Sequence, residues 1–287
     1  MKVSYGVLRK ILLTKVEDNS LFKLPKDQEI TLGIDEHARL KKKLATTITL
    51  IKPQKQLLGI IAKSTSQATK EWIDNNFSLE ERLRIKEICV DMTKSLKKPL
   101  QLAFPEAKFT IDKFHVVAYL NNLIKEEYSF SSKYGLREKD KRKLPQRTKA
   151  MHISRILAQD GNSWDKKKKD KVKTVFSLMP RVAELWYAKE EVRAIYKECL
   201  DKKEARDRWQ FVLKLMPEVA KSTLAKHLEE ILNYFDTYNT NAFTEGVHTK
   251  IKKQKRVSYG IKNPEIYVKK MELAFIPKEK LILPHTF

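Results

Sequence analysis

Glu29-Ile-Thr-Leu-Gly-Ile-Asp35 is the stretch on which the fold turns. Apolar and β-branched residues fill it and end on an acid, the pattern of a buried strand. Ala45 to Ile51 reads as a second strand and Leu57 to Ala62 as a third, with Pro53-Gln-Lys-Gln56 suited to a hairpin connection. Ser66 to Asn75 follows as a helix with Thr65 or Ser66 as its cap. Ile85 to Asp91 is a fourth strand that again ends in Asp. Thr93 to Phe104 is an amphipathic helix stopped by Pro105, and Lys108 to Asp112 is a fifth strand before a long helix from about Phe114. Three strands, helix, strand, helix, strand, helix is the order of an α/β protein with a mixed sheet.

Before this core, residues 1–26 read as a short helix, Tyr5 to Val16, and a connector broken by Pro25. After it, Ser131 to Tyr238 carries no strand pattern and reads as an all-helical insertion. Its aromatic anchors are Trp164, Phe176, Trp186, Tyr187, Trp209 and Phe211. The tryptophans offer faces on which an unpaired base could stack, but packed core is the favoured reading of aromatics at helical spacing. The chain then returns through Asn239-Thr-Asn-Ala-Phe-Thr-Glu245, where Thr244 or Asn241 caps a helix with Glu245 in its first turn. A loop from Arg256 to Pro264, a last helix from Glu265 to Ala274 and a tail punctuated by Pro277 and Pro284 complete it.

The charge is strongly unbalanced. Lys and Arg number 59 against 36 Asp and Glu, a net charge of +23. Basic runs such as Lys166 to Lys169 and Lys250-Ile-Lys-Lys-Gln-Lys-Arg256 attract polyanions such as nucleic acid; an acidic membrane surface would be attracted equally well, but no amphipathic or lipidated anchor is evident. No apolar run is long enough to span a bilayer and no signal peptide is legible, so a cytoplasmic protein is expected. Cys89 and Cys199 form no C-x-x-C pair, so neither a zinc ribbon nor a disulfide framework is expected, and both read as buried thiols.

Asp35 and Asp91 stand at the ends of the first and fourth strands. Where two such strands are neighbours, about 4.8 Å apart, carboxylates at matching ends can share metal ions. Two ions can activate a nucleophile and stabilise the leaving oxygen of a phosphodiester. Mg²⁺ suits such oxygen ligands, with Mn²⁺ as a substitute. The bland reading of an acid at a strand end is a turn or cap residue. Asp112 also ends a strand and rivals Asp91, which is preferred because its strand should border the first.

Gly33-Ile-Asp-Glu36, Val90-Asp91, Phe104-Pro-Glu-Ala107 and Asp112-Lys-Phe-His115, followed by Thr244-Glu-Gly246, Lys250-Ile-Lys252 and Tyr259-Gly260, resemble DDE transposases of bacterial insertion sequences, the ISL-three family in particular. The resemblance runs from about Ile30 to Leu273. It implies a ribonuclease H-like mixed sheet, with the helical insertion placed before the last catalytic helix. It implies Asp35, Asp91 and Glu245 as catalytic metal ligands, a nucleoid location, and an assembly of at least two chains on DNA, with element ends and target as substrates. Asp112, His115 and His248 are expected beside the carboxylates. Lys250, Lys252, Lys253, Lys255 and Arg256 are expected on phosphates, against the alternative of a solvated basic face. The expected divisions are 1–26, a remnant of a DNA-binding region; 27–130, the first part of the core; 131–238, the insertion; and 239–287, the last part of the core. No cysteine cluster precedes Asp35, so the family's zinc ribbon and most of its helix-turn-helix are expected to be lacking, with the first helix, from Val3, as a remnant of the recognition helix, and the chain reads as shortened at its front. The competing expectation is therefore an inactive, DNA-binding remnant acting as a repressor, and a third is a nuclease of the same fold with another substrate.

Overall fold

Alternation along one strand organises the sheet. Ile30, Leu32 and Ile34 point to one face and are buried, while Thr31, Gly33, Asp35 and His37 point to the other. The computed structural model describes residues 23–40, 43–92, 94–142, 144, 153–258 and 260–276. The helix expected at Tyr5 to Val16 and the tail with Pro277 and Pro284 lie outside them. The main elements in chain order are β1 (Ile30–Leu40), β2 (Lys43–Lys52), β3 (Gln56–Ile61), α1 (Ser66–Asn76), α2 (Leu79–Leu83), β4 (Ile85–Val90), α3 (Lys94–Ala103) and β5 (Lys108–Ile111). They continue with α4 (Lys113–Phe130), α5 (Lys166–Leu178), α6 (Pro180–Glu198), α7 (Lys202–Leu215) and α8 (Glu218–Lys226). The last two are α9 (Ala242–Val257) and α10 (Pro264–Leu273).

The strands form one five-stranded sheet in the order β3-β2-β1-β4-β5, with β1 antiparallel to β2 and parallel to β4. The mixed α/β sheet expected from the sequence is therefore present. On one face, Ile30, Leu32 and Ile34 join Ile48, Leu50, Ile73 of α1, Ile88, and Leu96 and Leu100 of α3 in a continuous core. Each such side chain contributes about 1.5–3 kcal/mol when fully buried. On the other face, Ala45, Leu57 and Ile60 meet Val247 and Ile251 of α9 and Tyr267 and Met271 of α10. The sheet is thus packed on both faces.

Local chemistry sets the element ends. Thr65 caps α1 by accepting from the Ala68 amide at 3.2 Å, and Ser78 and Glu81 form a reciprocal capping box on α2. Asp112 leaves the fifth strand one residue early because its carboxylate accepts from the Phe114 amide at 2.9 Å and caps α4. A larger departure concerns β1. The sequence ends that strand at Asp35, yet it runs on to Leu40 because β2 pairs with it as far as Leu40↔Lys43. The extension carries Glu36, His37 and Arg39, which no strand pattern would recruit. Cross-strand pairing overrides local propensity here.

The chain divides into two compact units, Met1–Thr110 with Asn239–Phe287, and Ile111–Tyr238. The first holds the sheet. The second is helical among its described residues. Val116, Leu120, Ile124 and Tyr128 form one stripe of α4, which packs on α6. Trp209 of α7 is fully buried, and Trp164 stacks on Trp186 with centroids 4.8 Å apart. The core reading of these tryptophans holds, whereas Tyr187 and Phe211, expected as anchors, are more than half exposed. Lys189 is buried by satisfying its ammonium on Leu157 O at 2.7 Å, Gln159 O at 2.9 Å and the Glu190 carboxylate at 2.6 Å. Burial still lowers its pKa.

Candidate active site

Gly33 is where a helix meets the central strand. A methyl group built there would collide with Asn241 Oδ1, Thr244 Oγ1 and Thr49 Oγ1, so only glycine admits the start of α9. Asn241 occupies the N-cap of α9 without a side-chain cap bond to the helix. It serves the strand instead, donating to Ile34 O at 3.3 Å and accepting from Thr244 at 2.9 Å. Thr244, the other cap candidate, lies inside the first turn, 2.7 Å from Thr49 Oγ1. This interlock presses α9 onto β1 and β2 through Thr244, Val247, His248 and Ile251, spaced for one helical face.

The carboxylates follow from that frame. In the parallel β1–β4 pairing, Thr31 faces Glu87 and Gly33 faces Cys89. The pairing ends at Gly33↔Cys89, two residues before Asp35 and two before Asp91, which follows directly on the last residue of β4. Asp35 is 8% exposed; its Oδ1 accepts the Glu36 amide at 2.7 Å, and its Oδ2 lies 3.4 Å from His248 Nδ1. Glu245 is half-buried in the first turn of α9. It stands three residues before His248, so the two share one side of the helix. Glu36 points away and accepts from the Ser64 hydroxyl. Glu87, which the sequence reading passes over, is buried and accepts from Thr110 and Asn239. Asp112 and His115 begin α4 and belong to the helical unit.

Among the described residues, no three His, Cys, Asp or Glu side chains gather closely enough to hold a metal ion. The donor chemistry of Asp35, Asp91 and Glu245 still fits a hard, oxygen-seeking divalent ion.

A chain of polar groups extends from Asp35 into the sheet face. His248 Nε2 is 3.0 Å from Thr47 Oγ1, Thr47 Oγ1 is 2.9 Å from His37 Nδ1, and His37 Nε2 is 2.8 Å from the Tyr267 hydroxyl of α10. All of these side chains are buried. Burial, then the nearby His248 and the charges of Lys255 and Lys252, depress the His37 pKa to about 3, so this imidazole is neutral. Burial pushes the Tyr267 phenol up to about 12. Sequence reading finds His248 but misses His37, Thr47 and Tyr267. The available signal is the period of two that puts His37 on the face of Asp35.

The basic residues of α9 divide. Lys252, Lys253 and Arg256 are exposed, whereas Lys250 also lies over the Phe275 ring at 4.4 Å and Lys255 donates to Ala38 O at 2.7 Å. The last two therefore have structural partners of their own.

A mixed five-stranded sheet with α9 and α10 packed on one face is consistent with the ribonuclease H-like fold of a transposase. A family model described as a transposase matches residues 32–271, from β1 through the helical unit to α10. The chain belongs to that family, the ISL-three group of DDE transposases. No curated protein matches it.

Proposed function

We propose that the chain cuts DNA strands at the ends of an insertion sequence and joins the freed 3′-OH to target DNA, with Asp35, Asp91 and Glu245 as the metal-binding carboxylates. The observation that supports the reading is the seat of α9 on β1, where His248, three residues after Glu245, sets its Nδ1 3.4 Å from the Asp35 carboxylate. Mg²⁺ is the ion expected there, with Mn²⁺ as a substitute. When bound, such ions activate the attacking oxygen and neutralise charge on the leaving one. The protein's own part is to hold three carboxylates on rigid elements and to place Lys252, Lys253 and Arg256 along α9 for backbone phosphates, with Lys250 and Lys255 assisting at its edges. The reaction needs no covalent protein intermediate, and assembly of two or more chains would bring paired DNA ends together.

Asp35→Asn, Asp91→Asn and Glu245→Gln keep side-chain volume and remove one charge each. Each should lower Mg²⁺-dependent nicking and joining of element-end DNA by orders of magnitude while leaving DNA binding in place. Unchanged cleavage in Asp35→Asn would sink the assignment. Loss in Asp112→Asn but not in Asp91→Asn would move the second carboxylate to Asp112. DNA binding by the parent chain with no metal-dependent nicking would describe a non-catalytic binding protein instead.

A further inference from the structure

We infer that Tyr267, His37, Thr47 and His248 form a one-way hydrogen-bond relay that orients the Asp35 carboxylate, with Tyr267 a positioning residue at its far end. With His248 neutral the direction follows from donor chemistry, whereas a doubly protonated His248 would donate from Nε2 as well and reverse the links beyond it. A carboxylate only accepts, so His248 Nδ1, 3.4 Å from Asp35 Oδ2, must carry its proton. An unprotonated nitrogen there would set two lone pairs against each other. In the neutral imidazole, Nε2 is then an acceptor, and the donor facing it at 3.0 Å is the Thr47 hydroxyl. Thr47 has one proton to give. Having given it to His248, its oxygen accepts from His37 Nδ1 at 2.9 Å. That fixes His37 as the Nδ1–H tautomer, and its Nε2 accepts from the Tyr267 phenol at 2.8 Å. Every link uses one donor and one acceptor, and no group is asked to do both with the same atom pair. The two imidazoles lie 4.8 Å apart, and all the side chains involved are buried, so water does not compete for these bonds.

The consequence is mechanical. Asp35 sits on β1 with one oxygen on the Glu36 amide and the other facing His248. The relay ties that second oxygen, through β2, to α10. Outer partners of this kind hold a ligand's orientation, and their loss typically lowers metal affinity or activity by about 10- to 100-fold. The link to catalysis rests on Asp35 being a metal ligand, but the relay does not.

Two measurements on the full chain separate the claims. In metal-free protein labelled with ¹⁵N-histidine, two-bond correlation spectra should place both His37 and His248 in the Nδ1–H tautomer. Tyr267→Phe removes only the phenol oxygen. It should move the ring-nitrogen signals of His37 and, through Thr47, those of His248, whereas Val268→Ala on the same helix should not. Signals of an Nε2–H tautomer at His37 in the parent, or a His248 ring indifferent to Tyr267→Phe, would overturn the relay. In strand cleavage, Tyr267→Phe should raise the Mg²⁺ concentration for half-maximal rate by about tenfold or more, with most of the rate restored at saturating Mg²⁺. A relay seen by NMR with an unchanged Mg²⁺ dependence would overturn the positioning of Asp35. If the parent cleaves nothing, the catalytic reading fails and the spectra still decide the relay.

Discussion

Gly33 shows how one absent side chain can position a site. Its Cα hydrogen faces Asn241, Thr244 and Thr49, and the first turn of α9 rests there. Gly33→Ala should therefore destabilise the protein by about 1–3 kcal/mol, the usual cost of overpacking, read as a lower midpoint of urea unfolding. An unchanged midpoint would mean that α9 does not depend on this contact. Asp35 and Glu245 are legible in the sequence because an acid after a β-branched run, and an acid in a helix's first turn, carry local signals. His37, Thr47 and Tyr267 are not, because their alignment depends on pairings between residues far apart in the chain. A histidine and a threonine ten positions apart become neighbours only once the β1–β2 register is set.

At the level of elements, the strands were readable wherever their own residues were apolar or β-branched, and β1 outran its pattern because β2 held it. Helix α10 adds a titrating element. Its Glu272 accepts from the Ile60 amide of β3 at 3.1 Å, and burial raises the carboxyl pKa from the ordinary 4.5 to about 7. The native state thus keeps a proton that the unfolded chain releases above pH 4.5, so this group's contribution to stability falls as pH rises from about 4.5 to about 7. Glu272→Gln keeps an acceptor for Ile60 and removes the charge. It should raise stability at pH 8 relative to the parent, on the order of a few kcal/mol, and change it little at pH 4. Denaturant unfolding at the two pH values checks this; an equal effect at both would assign Glu272 a purely steric role.

For the whole molecule, a net charge of +23 dictates how it meets DNA. Affinity should fall steeply with salt, and removing one cation from a phosphate should reduce the slope of log affinity against log salt by about 0.9. Replacing Lys252, Lys253 and Arg256 together by Ala should flatten that slope in fluorescence anisotropy titrations. An unaltered slope would place the phosphate-binding cations elsewhere on the chain. The basic surface itself is plain in the composition, while its division into exposed cations and those with partners such as Ala38 O emerges only from the packing of α9. No helix among the described residues is long and apolar enough to cross a membrane. The hydrogen bond between Glu272 and Ile60 has one more effect. Strand β3 is at the margin of the sheet, where outward-facing amides could template pairing with another chain. Helix α10 covers β3 and occupies the Ile60 amide with a side chain. A chain in which this helix detaches would thus be prone to edge-to-edge aggregation, so α10 protects solubility as well as packing.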